Sequence, residues 1–201
     1  MIAESRVCGN GTVSTDSSEL FLNHRHLEVD IGCGNALFLT ALAKRYPATN
    51  FIGIEQRTEH VRRARNRKDS LELPNLFIVN AHAISFVLGT LKCESVHTFY
   101  INFPDPWPKR KHRRRRLLTA EFLKLLHSRL TENGFVHIAT DDEDYYKFIR
   151  MQAAVTSYLW SSIRDRTVTR FVHEDLRTRY EEQFQREGKT LHYLELKKHS
   201  D

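Results

Sequence analysis

Little in this sequence offers covalent bracing or metal binding. Its three cysteines, Cys8, Cys33 and Cys93, are an odd number without a Cys-x-x-Cys pair, so no disulfide framework is expected and a reducing, cytoplasmic setting is. Eleven histidines include no His-Glu-x-x-His. Neither His24 and His26 nor His192 has company at metal-ligand spacing, so no metal is expected. No apolar run approaches the roughly 18 residues of a membrane span, and no membrane partner is expected. The first 23 residues are polar, rich in Ser, Thr and Gly, and lack the basic-then-apolar order of a signal peptide. They read as a disordered leader, with residues 24–201 as a single domain. Prolines number only five, yet three of them, Pro104, Pro106 and Pro108, fall within five positions.

Those prolines open a segment of unusual charge. Ile101 to Arg116 reads INFPDPWPKRKHRRRR, and Lys109 to Arg116 holds seven Lys or Arg. Taking those seven cations from the formal charge of +6 leaves −1, so this one block accounts for the whole excess. Like charges so concentrated need solvent or an anionic partner. A solvated helix face is one reading; nucleic acid is the better one, given the residues around the block. A second basic segment, residues 59–68, either extends that surface or is a solvated helix.

From Leu27 onward strand-like and helix-like stretches alternate. Strands are expected at 27–31, 50–55, 75–80, 95–103, 133–140 (opening on an Asn-Gly turn) and 191–198. Helices are expected from Ala36 to Pro47, over 57–73, from Arg115 to Leu130 and over 142–155. This alternation predicts a doubly wound α/β fold, a mostly parallel sheet covered on both faces. Ligands bind such sheets beyond the carboxyl ends of the strands. Asp30 with Gly32 and Gly34, then Glu55, then the Phe-Pro-Asp-Pro-Trp turn, then Asp141 all fall at such ends.

The Gly-x-Gly after the first strand is a weak signal alone. A dinucleotide fingerprint fails, because Leu37 stands where the last Gly or Ala belongs. Asp30 offers a carboxylate to an ammonium group, and Glu55 one to two ribose hydroxyls. A ligand with an amino acid at one end and a nucleoside at the other is S-adenosylmethionine. The plainer alternative makes both acids helix caps.

With these motifs in place, the chain resembles the bacterial tRNA (guanine-N7-)-methyltransferases, a family of class I S-adenosylmethionine-dependent enzymes. The resemblance runs from about Leu27 to Lys197. It rests chiefly on NFPDPWPKRKHRRRR, supported by GIE ending at Glu55, ATD ending at Asp141 and TRYE from Thr178 to Glu181. It implies a Rossmann-like, seven-stranded sheet and methylation of a guanosine in the variable loop of tRNA. It also implies a cofactor site of Asp30, Gly32, Gly34, Glu55, His82 and Asp105, with Asp105 as the catalytic acid. Substrate positions would be Lys109, Asp141, Thr178, Arg179, Tyr180 and Glu181. His82 departs from the aspartate usual there, and Ala36 replaces a frequent third glycine. The basic run Arg113, Arg114, Arg115 and Arg116 is expected on tRNA phosphates. The working form is expected to be a monomer, with a homodimer as the alternative. Two other readings stay open: methylation of an exocyclic amine, against which the split prolines argue, and an RNA-binding protein without catalysis. By spacing alone, Thr178 and Glu181 form a helix capping box.

Overall fold

Strands β1 (Leu27–Ile31), β2 (Asn50–Glu55) and β4 (Val96–Asn102) are buried almost throughout, as strands covered on both faces must be. With β3 (Leu76–Asn80) and β5 (Leu130–Thr140) they pair in parallel, while β7 (His192–Lys198) runs antiparallel beside β5 and β6 (Trp160–Arg166). The order is β3-β2-β1-β4-β5-β7-β6, so the expected seven-stranded, mostly parallel α/β sheet is present. This computed structural model describes Phe21, Asn23 and residues 25–167 and 169–199. The leader through residue 20 lies outside the described residues. Phe21 and Asn23 are held in place: Phe21 meets Phe77 edge-on at 6.4 Å, and Asn23 Oδ1 accepts from Asn50 Nδ2 at 2.7 Å.

Alternation along the strands fills both faces. Phe51, Leu76, Ile78 and Tyr100 pack against α1 (Leu37–Arg45) and α2 (Thr58–Ser70). Ile52, Ile54, Phe99 and Ile101 point the other way. They pack against α3 (Ala83–Gly89), α4 (Ala120–Arg129) and α5 (Glu143–Val155). The order switches between β1 and β4, which places the ligand crevice at their carboxyl ends.

Several elements differ from the expectation. Asn133-Gly134 is no turn: both lie inside β5, with Asn133 at φ 57° opposite a register shift in β4. A Cβ at Gly134 would stand 2.9 Å from the carbonyls of His97 and Thr131, so the irregularity requires glycine. Helix α4 starts at Ala120, where Thr119 accepts from Phe122 N at 3.3 Å, rather than at Arg115. Strand β6 is a polar edge strand without a period-two pattern, and α3 is a further short helix. Cys33 carries a free thiol. Among the described residues no helix is long and apolar enough to cross a membrane.

Candidate active site

The β1–α1 turn is built on left-handed backbone at Gly32 (φ 81°), Gly34 (φ 55°) and Ala36 (φ 57°). Gly32 N donates to Ile54 O at 2.8 Å, tying the turn to β2. A Cβ at Gly32 or Gly34 would meet nothing within 4 Å, so both glycines face open space that a ligand can enter. Glu55 accepts from Gly34 N at 3.0 Å and Arg57 N at 2.8 Å, one on each oxygen, which orients the carboxylate and leaves a lone pair on each. Asp30 is buried. Burial lifts its pKa to about 7 and nearby Glu55 adds to the rise, while a hydrogen bond from Asn102 and the charge of Arg170 pull it down. A buried carboxylate poised at neutrality favours an incoming cation. This donor set fits S-adenosylmethionine: Asp30 for the ammonium, Glu55 for the ribose, the glycines for close approach. His82 is exposed at the N-terminus of α3 without a capping bond. Ala81 N, donating to Glu55 O at 3.1 Å, sets it beside the end of β2.

Next to this crevice stands the turn after β4. Phe103 (φ 51°) and Trp107 (φ 45°) bracket Pro104-Asp105-Pro106. Bulky residues in the left-handed region each cost about 1 kcal/mol or more, so the surroundings must hold the turn. Phe103 N donates to Ala139 O at 2.8 Å. Arg116 Nε donates to Pro106 O at 2.8 Å, and the Arg115 guanidinium lies 4.9 Å over the Trp107 ring. Asp105 is exposed, and among the described residues no hydrogen bond or ion pair engages its carboxylate. It caps no helix, because the next segment starts after Lys109.

That segment, Arg110–Arg115, is a 3-10 helix and buries nothing. Lys109, Arg110, Lys111, Arg114 and Arg115 are exposed, and among the described residues none of them has an ion-pair partner. Arg113 pairs with Asp144 at 3.1 Å. Arg116 corrects the expectation: it is buried, paired with Asp144, and stacked over Tyr145 and Phe148 at 5.0 and 5.1 Å. It cannot reach a phosphate and braces the Asp105 turn instead. Helix α2, carrying the second basic segment, packs on the opposite sheet face from α5, so it does not continue this surface.

Helix α6 (Arg179–Arg186) opens with the capping box read from the sequence. Glu181 N donates to Thr178 Oγ1 at 3.0 Å, and Thr178 N to Glu181 Oε2 at 3.2 Å. Glu181 also accepts from Tyr193 OH at 2.7 Å and pairs with Arg170. Only 2% exposed, its carboxylate has no room for a substrate, which corrects its expected direct role. Thr178 is likewise buried as a cap. Arg179 and Tyr180 are exposed. Tyr180 stacks on Phe184 (6.0 Å, 25°), which meets Phe103 at 5.5 Å, bringing this segment to the Asp105 turn. Lys189 donates to Asp141 at 2.8 Å and sits 4.0 Å over Phe184. Asp142, not Asp141, caps α5, accepting from Tyr145 N at 2.7 Å. Sequence reading missed Asn102, Arg170, Phe184, Lys189 and Tyr193. Asn102 alone carried a signal, as the last residue before Phe-Pro-Asp-Pro-Trp.

The strand order with antiparallel β7, and the carboxylate-and-glycine turn at its switch point, define a class I S-adenosylmethionine-dependent methyltransferase. Solved structures of that class share the fold. The 16S rRNA methyltransferase KamB superposes with a TM-score of 0.65 at 14% identity, covering 97% of this chain and 99% of its own. An antibiotic-related methyltransferase gives 0.62 at 16%, covering 96% and 99%. A family profile described as "Putative methyltransferase" matches residues 24–194. The tRNA (guanine-N(7)-)-methyltransferase of Brevibacillus brevis is 34% identical over 178 residues, 88% of this chain and 83% of the relative. That of Lachnoclostridium phytofermentans is 33% identical over 180 residues, 88% and 82%. The chain belongs to the tRNA (guanine-N7-)-methyltransferase family.

Proposed function

We propose that this enzyme methylates N7 of a guanosine in the variable loop of tRNA, with Asp105 holding the base. The unpaired Asp105 carboxylate, on a braced turn beside the cofactor crevice, carries the reading. S-adenosylmethionine, when bound, supplies a methyl group on a sulfonium sulfur. Guanine N7 has a lone pair and no proton, so in-line displacement needs no general base. The protein's work is alignment and electrostatics, and alignment alone can supply roughly 7–11 kcal/mol in the best cases. Asp105 accepts from the guanine N1–H and N2–H donors and opposes the positive charge that grows on the ring. Asp30 and Glu55 hold the two ends of the cofactor, and exposed His82 flanks the adenine. Tyr180, backed by Phe184, offers a stacking face for a splayed base. Arg179, Lys109 and the open cations of 110–115 take phosphates, with Asp141 and Lys189 at the rim.

We take the working form to be a monomer, acting in the cytoplasm where its tRNA substrate is processed. The test is methyl transfer from labelled S-adenosylmethionine to unmodified tRNA, with the product nucleoside identified. N7-methylguanosine is expected, and Asp105→Ala should lower kcat by about 100-fold or more. A different methylated nucleoside would overturn the role given to Asp105.

A further inference from the structure

A single buried side chain connects the two halves of this site. Arg170, 6% exposed, lies between α6 and the sheet, its guanidinium 4.7 Å over the Phe38 ring of α1. On one side Nε and Nη2 engage the two oxygens of Glu181. On the other, Nη2 donates to Asn102 Oδ1 at 3.5 Å, and Asn102 Nδ2 donates to Asp30 Oδ1 at 3.4 Å. A guanidinium has donors only. Asn102 must therefore turn its oxygen toward Arg170, which leaves its amide N–H for Asp30.

We propose that Arg170 is a positioning residue that couples the substrate half-site to the cofactor half-site, anchoring Thr178–Tyr180 through Glu181 and aiming the Asn102 donor at Asp30. This rests on the reading of Asp30 as the carboxylate for the cofactor's ammonium group. Asp30 is also faced by Glu55 at the end of β2, Cys33 in the β1–α1 turn and Tyr100 on β4. Of these groups only Arg170 is positively charged. Its loss removes both the one favourable charge on Asp30 and the constraint that orients Asn102, so the ionised acid becomes harder to keep.

Two variants break this link, and a third keeps its charge. Arg170→Met with Glu181→Gln removes both members of the buried pair together, which spares a lone buried charge, and leaves an amide oxygen to accept from Thr178 N and an amide N–H to donate to the Tyr193 hydroxyl oxygen. Asn102→Leu breaks the relay with the pair intact. The Asp30 carboxyl is titrated by carbon NMR in ligand-free protein, and S-adenosylhomocysteine binding is measured by calorimetry. Both variants should raise the Asp30 midpoint, by about one unit where the charge is lost, and weaken binding at neutral pH about fivefold as the ionised fraction falls. Arg170→Lys keeps the charge but not the fork. It should restore the midpoint while raising KM for tRNA more than it lowers kcat. An unchanged Asp30 midpoint in a folded double variant would overturn the proposal, as would an unchanged midpoint in Asn102→Leu. Wild-type protein that fails to bind S-adenosylhomocysteine would overturn the cofactor reading of Asp30, and the titration would still decide the link to Arg170.

Discussion

At the residue scale, the acids at the strand ends do different work because their surroundings differ. Asp105 is open and unpaired, ready for a base. Glu55 is fixed by two backbone N–H groups. Asp30 is buried and poorly compensated, with a folded pKa of about 7 against an ordinary 3.8. Between those values the folded chain binds more protons than the unfolded one, so Asp30 subtracts stability as pH rises through that window. Asp30→Asn should therefore make the ligand-free protein more stable. The gain appears above about pH 4, is complete above about pH 7, and reaches at most about 4 kcal/mol. Chemical denaturation at about pH 8 checks this, and the same variant should bind cofactor poorly. Asp30 and Glu55 were legible as site residues because a strand end beside Gly-x-Gly marks them. The burial of Thr178 and Glu181 was not, since exposure depends on Arg170 and Tyr193, which no local spacing rule links to them.

At the element scale, the basic block divides in two. Residues 110–115 form an exposed 3-10 segment, while Arg116 turns inward to hold Pro106 and Asp144. Neutralising Arg110, Lys111 and Arg114 should flatten the log-log salt dependence of tRNA binding by roughly 0.7–0.9 for each phosphate no longer neutralised and leave stability nearly unchanged. Filter binding across a salt series measures this. Arg116→Ala should instead destabilise the fold by about 2–3 kcal/mol, less than a fully buried pair because Asp144 is half-exposed. It should also lower kcat by loosening the Asp105 turn, without changing the salt slope. A run of identical letters concealed this division: the sequence places eight basic-type residues together, but only packing shows which one faces Tyr145 and Phe148. Strand β6 was obscure for a related reason. As a polar edge strand it is defined by its pairing with β7, not by a hydrophobic pattern of its own.

At the scale of the whole molecule, two buried titrations oppose one another. His137 on β5 is stacked between Tyr100 and Phe135. Burial, then the charges of His173, Arg170, Arg164 and His97, push its pKa down to about 3 from 6.5. The unfolded chain thus binds the extra proton below about pH 6.5, and the stability held by neutral His137 is lost as pH falls from there toward about 3. Asp30 runs the other way over an overlapping range, so the wild type should show a shallow dependence between about pH 4 and about pH 6.5. His137→Phe, which keeps the ring stack, should be relatively more stable at about pH 5 than at about pH 8 when compared with wild type. Denaturant midpoints at the two pH values give the comparison.

The sequence by itself determined the α/β class, the cofactor turn, the Asp105 turn and the α6 capping box. Each of these is a local matter: hydrophobic period, glycine where the backbone turns left-handed, proline that stiffens a loop, a Thr and a Glu three residues apart. Only the tertiary structure decided which predicted residues are open to a substrate. Burial and pairing are set by partners that only the packing of separate elements brings together, so Arg116 and Glu181 became braces while Arg179, Tyr180 and Asp105 stayed exposed. The Asp30–Asn102–Arg170–Glu181 chain likewise exists only where β1, β4 and the segment before α6 meet, and no spacing in the sequence announces it.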